Sequence, residues 1–127
     1  MKTAILLMAH GSRIPEANDA VHQIAGMVKN FAGYDIVEVS FRENHAPNIQ
    51  QGIDACVSRG AERILLVPYF LYMGAHVQED LPKEMEEARL RHPGVEMAMG
   101  RHLGVHKRLA KLVIDRIEEA FSEKGWR

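Results

Sequence analysis

Two histidines each stand just past an apolar run that ends abruptly. Ile5-Leu6-Leu7-Met8-Ala9 stops at His10-Gly11-Ser12-Arg13, and Ile64-Leu65-Leu66-Val67 stops at Pro68, from which Tyr69-Phe70-Leu71-Tyr72-Met73-Gly74-Ala75 leads to His76. Imidazole changes charge near neutral pH and suits first-row divalent ions. Two imidazoles are too few to close a structural zinc site, so an ion held by His10 and His76 would keep positions open for a second molecule.

The same chain segments carry charge. Arg13 follows the first apolar run, Arg42-Glu43-Asn44-His45 follows the second, and Arg101-His102 follows the fourth. Singly, each arginine reads as a solvated surface charge. Together, beside the amides of Gly11, Gly74 and Gly104 at or near helix N-termini, Arg13, Arg42 and Arg101 make a basic rim fit for an anionic ligand. Glu43 reads either as a surface carboxylate or as a group that takes protons from ring nitrogens. Asp80 lies four residues after His76 and shares its helical face. A first-turn interaction with the helix dipole is a slightly better account of it than a hydrogen bond to His76. His22, His92 and His106 read as surface or packing histidines, Cys56 as core, and Met97 and Met99 as strand packing.

These residues need a frame, and apolar periodicity supplies one. Residues 3–9 read as a strand buried on both faces. Ala17, Val21, Ile24, Ala25, Val28 and Phe31 then recur at helical spacing until Gly33. A second strand holds Ile36, Val37, Val39 and Phe41. The next helix places Pro47 in its first turn, Ile49, Ile53, Cys56 and Val57 on one face, and Gly60 at its end. The third strand covers 64–67. The third helix runs from near His76 to Arg91, with Val77, Leu81, Met85 and Ala88 inward, and His92-Pro93-Gly94 ends it. A short strand over 95–99 leads to a last helix carrying Val105, Leu109, Leu112, Val113, Ile117, Ala120 and Phe121. Four βα units in succession predict an α/β domain with one four-stranded parallel sheet, helices on both faces and right-handed crossovers, similar to a small flavodoxin-like sheet. Ligands of such sheets bind outside the carboxyl ends of the strands, where strand order reverses. His10, Glu43 and the 69–76 segment all fall there.

A length of 127 residues predicts one domain spanning 1–127. The net charge of −1 gives no general attraction to nucleic acid or an acidic membrane, so neither is expected as a partner. One cysteine rules out an intramolecular disulfide framework. No run approaches a membrane span, and the apolar run near the N-terminus is short for a signal-peptide core. A reducing, cytoplasmic setting is expected.

Three segments carry a family resemblance: Ala9-His10-Gly11-Ser12-Arg13, Phe41-Arg42-Glu43-Asn44-His45-Ala46-Pro47, and Val67 through Pro82 with the form P-x-F-L-x-x-G-x-H-x-x-x-D-[IL]-P. In these the chain resembles the short-form CbiX/SirB sirohydrochlorin chelatases over nearly its whole length. The third segment is specific, whereas His-Gly-Ser alone is weak. The resemblance implies insertion of a divalent metal, cobalt or iron and in some relatives nickel, into sirohydrochlorin, a flat tetrapyrrole ringed with carboxylates, in cobalamin or siroheme biosynthesis. It implies that His10 and His76 hold the metal and that His10 also accepts a proton. It places the substrate along Leu71, Tyr72, Met73, Gly74, Ala75 and His76, with Glu43 or His45 on the substrate side. Ser12, Arg13, Arg42 and Arg101 complete the expected substrate contacts. The metal would be a substrate, with no tightly bound cofactor. The chain matches one lobe of two-lobed relatives, which implies a homodimer. It lacks the histidine-rich tract that some members carry before the fourth strand, and Gly100-Arg101-His102-Leu103-Gly104 is a loose match to the family's proline-containing turn.

Two other readings compete. Strand-His-Gly-Ser also resembles the start of the histidine phosphatases, but an arginine normally precedes their nucleophile and Ala9 stands here. A non-catalytic carrier of metal or tetrapyrrole would use the same cleft, and turnover separates it from a chelatase.

Overall fold

The computed structural model describes residues 1–126. Its elements alternate without exception: β1 (Thr3–Ala9), α1 (Pro15–Ala32), β2 (Ile36–Phe41), α2 (Ile49–Ser58), β3 (Arg63–Pro68), α3 (Ala75–Arg91), β4 (Glu96–Met99) and α4 (Lys107–Lys124). The four strands form one parallel sheet in the order β2-β1-β3-β4. The chain therefore steps from β1 to one side and returns past it to β3, which puts the topological switch point between β1 and β3.

Strand alternation divides the interior in two. Ala4, Leu6 and Met8 of β1, with Ile36, Ile64 and Leu66, pack against Ile49, Ile53 and Cys56 of α2 and Leu81 and Ala88 of α3. Ile5, Leu7 and Ala9, with Val39 and Phe41, meet Ala25 and Val21 of α1 on the opposite face. β1 is buried from Ala4 to Ala9, as its unbroken apolar run requires. Burial pushes the Cys56 thiol up to about 12, consistent with an inert core position.

Local signals set the helix ends, with some departures from the sequence expectation. Gly33 closes α1 at φ 75° and donates its amide to Lys29. Phe31, expected inward, is 86% exposed. Pro47 lies before α2 rather than in its first turn. Asn48 is the cap, and it forms a reciprocal capping box with Gln51. Arg59 is the C-cap of α2 and Gly60 closes the helix behind it at φ 92°, its N–H donating to Val57 O and the Ala61 N–H to Cys56 O. Val105, expected on the last helix, is fully exposed and precedes the His106 cap of α4. His106 Nδ1 accepts from the Arg108 amide at 3.0 Å.

The largest departure concerns α4. Its apolar stripe is expected to cover the sheet, yet α4 contains no buried residue. Among the described residues no helix is long and apolar enough to cross a membrane.

Candidate active site

The β1–β2 ladder continues past the strand ends and brings two loops together. Arg42 N–H donates to Ala9 O at 2.8 Å and Glu43 N–H to His10 O at 3.0 Å. This pairing sets the two side chains beside each other, with His10 Nε2 2.7 Å from Glu43 Oε1. An ionised carboxylate only accepts, so Nε2 carries the proton of this contact. Both side chains are about half exposed. Gly11 makes the approach possible: its φ is 94°, and a Cβ there would lie 1.8 Å from Glu43 O.

The His10 loop is held from below by a residue that the sequence reading passed over. Asn18 of α1 is buried; its Oδ1 accepts from Ser12 N–H at 2.9 Å and its Nδ2 donates to Ser12 O at 2.8 Å. Asn18, Val21 and Ala25 fall on one helical face, so a polar group among inward apolar positions was the available signal. Ser12 Oγ is engaged locally, accepting from Ile14 N–H.

Glu43 has a second neighbour. Arg42 Nη1 lies 3.8 Å from Glu43 Oε2, while Arg42 Nη2 donates to Asp80 Oδ2 at 2.7 Å. A chain of contacts thus runs from His10 through Glu43 and Arg42 to Asp80 on α3, one turn beyond His76. This is neither of the roles expected for Asp80. The Arg42 hydrogen bond holds the Asp80 carboxyl below its ordinary range, and the nearby His76 lowers it further. Arg42 is half-buried, and its buried Nε has no partner among the described residues. Arg42, Glu43 and Asp80 line an open cavity of about 380 Å³ with Lys83, Glu84, Glu87 and Ile49. Of the expected basic rim, Arg13 and Arg101 remain exposed and pair with no carboxylate among the described residues, whereas Arg42 is committed to Asp80.

The β3–α3 loop supplies the other side. Tyr69 N–H donates to Met8 O, which docks the loop at the end of β1. Phe70 and Met73 pack on the core, and Phe70 meets the His10 ring edge-on at 6.3 Å between centroids. Leu71 and Tyr72 point outward, 61% and 80% exposed. Gly74 caps α3 in extended conformation, with Ala75 and His76 exposed in the first turn. His45 stacks edge-on against Phe41 at 5.0 Å, as does His22 at 5.7 Å. His92 Nε2 sits 2.8 Å from Asp54 Oδ1, away from the site; that hydrogen bond, with help from Arg91, lowers the Asp54 carboxyl. Among the described residues no three His, Cys, Asp or Glu side chains gather into a closed metal cage.

A four-stranded open parallel sheet with a solvent-facing imidazole–carboxylate pair across the carboxyl ends of β1 and β2, beside the switch point, defines a small α/β protein whose polar groups gather at its strand ends. The CbiX family model matches residues 4–120, and the chain belongs to the CbiX family. It is 36% identical over 121 residues to a sirohydrochlorin ferrochelatase of Priestia megaterium, covering 95% of this chain and 46% of that protein. It is 33% identical to a sirohydrochlorin cobaltochelatase of Sulfurisphaera tokodaii, covering 91% of each. The crystal structure of the sirohydrochlorin chelatase SirB from Bacillus subtilis subspecies spizizenii in complex with cobalt superposes with a TM-score of 0.87 at 34% identity, over 94% of this chain and 51% of that one. The chain spans less than half the length of the Priestia protein, and about half of SirB. The phosphatase and carrier readings find no support in these matches.

Proposed function

We propose that this protein is a sirohydrochlorin chelatase that inserts a divalent metal ion, cobalt, iron or nickel, into the tetrapyrrole. The observation that carries the proposal is the His10–Glu43 pair, 2.7 Å apart and open to solvent beside the switch point. The ferro- and cobaltochelatase relatives support the substrate class. Insertion requires the ion to shed water and the macrocycle to lose the protons of its inner nitrogens. His10 and His76 hold the ion by their imidazoles, and Glu43, already bonded to His10, receives a proton as ring nitrogens replace those ligands. Leu71 and Tyr72 face the apolar ring, and Met73 backs them from the core. Arg13 and Arg101, with the amides of Gly74 and Ala75, meet the peripheral carboxylates, and Ser12 and His45 flank them. Arg42 acts from behind by holding Glu43 and Asp80. Bringing ion and macrocycle together in one orientation is the main rate contribution.

One lobe offers a shallow surface to a large flat ring, and a second copy with its strand ends facing the first supplies the opposite wall. Anaerobic incubation with sirohydrochlorin and Co²⁺, Fe²⁺ or Ni²⁺ in turn, followed by the visible spectrum against a control without protein, tests the reaction. Multiple turnovers with at least one metal are expected. No acceleration with any metal would remove the proposal, and a single stoichiometric change would leave only a carrier.

A further inference from the structure

Arg42 is a cation placed where a site for a metal ion can least accommodate one. It stands between the two edges that carry His10 and His76. Its Nη1 lies 3.8 Å from Glu43, which is bonded to His10, and its Nη2 donates to Asp80, one helical turn beyond His76. The guanidinium is half-buried: 21% of the side chain is exposed, and Nε is buried without a partner among the described residues. A charge in that setting is poorly screened by water, so an unmasked Arg42 would repel a divalent ion arriving at either histidine.

Asp80 supplies the mask. Asp80, Glu84 and Arg91 form one stripe of α3, and the lower two are engaged with α2: Gln50 Nε2 donates to Glu84 Oε1 at 2.8 Å, Arg91 Nη1 donates to Gln50 Oε1 at 2.7 Å, and Arg91 Nη2 pairs with Asp54. The Arg42–Asp80 bond, 2.7 Å long, is the end of this seam that faces the site. Among the described residues the other carboxylate within 4 Å of Arg42 is Glu43 itself. The two contacts are unequal: 3.8 Å is too long for a hydrogen bond, which leaves Glu43 to His10. Without the charge of Asp80, a bidentate pair with Glu43 becomes the best arrangement open to the planar guanidinium. That pair draws Glu43 from His10 and unties α3, with His76, from the β2 edge. We propose that Asp80 is a positioning residue for the ion: it masks Arg42, keeps it off Glu43, and ties the His76 edge to the His10 edge so that both imidazoles meet one ion. The inference rests on the reading of His10 and His76 as the groups that hold the substrate ion, and it assigns that site a further residue.

Titration of the full chain with Co²⁺, followed by calorimetry and by the visible bands of the bound ion, tests this role without reference to turnover. Asp80→Asn is expected to weaken binding by about 10–100-fold, the range usual for groups that orient metal ligands, and to alter the visible bands. Circular dichroism should stay parental, because the Asp80 side chain is 44% exposed. Asp80→Glu keeps the charge and should recover most of the affinity. Arg42→Met removes the cation that Asp80 masks, so Arg42→Met alone and Arg42→Met combined with Asp80→Asn should both bind Co²⁺ more tightly than Asp80→Asn. Unchanged affinity in Asp80→Asn overturns the proposal. A double variant as weak as Asp80→Asn also overturns it, since Asp80 would then act by some route other than Arg42. His10→Ala and His76→Ala are titrated alongside. If both bind Co²⁺ like the parent, the ion is held elsewhere, and the reading of the two histidines falls together with this role. If they lose the ion and Asp80→Asn does not, only the role of Asp80 falls.

Discussion

Gly11→Ala is the substitution that most directly probes how the site is assembled. The new methyl carbon would lie 1.8 Å from Glu43 O, 2.9 Å from Glu43 C and 3.2 Å from Phe41 Cβ, and two of these neighbours are backbone atoms that cannot swing away. The backbone at φ 94° adds its own cost for an L side chain, about 1–3 kcal/mol. Separating the loops breaks the bond from Glu43 N–H to His10 O, worth about 0.5–1.5 kcal/mol. Together these give a destabilisation of about 1.5–4.5 kcal/mol, measurable by urea unfolding. The same displacement separates His10 from Glu43, so insertion should fall by more than the folded fraction explains. Gly74→Ala is the comparison, since nothing lies within 4 Å of its Cβ position and its φ is −69°. It should unfold within about 0.5 kcal/mol of the parent. If Gly11→Ala matched the parent in both stability and rate, the close approach of the two loops would not be what builds the site.

Four further outcomes follow from the contacts. His10→Ala and His76→Ala should each remove most insertion while circular dichroism stays unchanged, because both side chains are exposed; a parental rate in either variant would show that histidine to be dispensable. Asn18→Ala should cost about 1–3 kcal/mol by stripping the partners from Ser12 N–H and Ser12 O, read by urea unfolding. Charge reversal at Arg13 or Arg101 should raise KM for sirohydrochlorin more than it lowers kcat, and the opposite split would remove them from substrate binding. Arg42→Gln should destabilise at neutral pH, and the difference from the parent should close in acid. The Asp80 carboxyl is lowered from 3.8 by Arg42, so its contribution is present above that value and disappears as pH falls through the lower folded-state value. A stability difference that stays constant down to the acid limit would show the pair to be immaterial.

Much of this architecture is legible in the residues because period and breakers report on one element at a time. β1 announces double burial by its unbroken apolar run, and Gly33 announces the end of α1. His10, Glu43 and the 69–76 loop reach one edge because a parallel sheet leaves them no other place. What stays hidden depends on partners distant in sequence. Nothing local says that Arg42 reaches Asp80, 38 residues away, instead of a ligand. The apolar stripe of α4 looks like any sheet-covering helix, since hydrophobic periodicity states that a face is to be buried but not against which surface. Pro47 shows a different kind of miss, because proline before a cap and proline in a first turn differ by two positions. The Asn48–Gln51 capping box was the better signal for where α2 begins.

The His10–Glu43 contact also constrains the order of events. Nε2 is bonded to a carboxylate and carries a proton, so it cannot present a lone pair to an ion while that contact lasts. An ion that takes Nε2 needs the ring as its other tautomer, with the proton on Nδ1, and the contact to Glu43 is then lost. An ion that takes Nδ1 instead leaves the contact whole, and Glu43 then fixes the ring in the ligating tautomer. The two routes differ in where the ring proton sits once the ion is bound. Long-range proton–nitrogen NMR spectra of His10 with and without Zn²⁺, a diamagnetic stand-in for the substrate ion, separate them. A proton that stays on Nε2 marks Nδ1 as the ligand, and a proton that moves to Nδ1 marks Nε2. If neither ring nitrogen responds to the ion, His10 does not hold it.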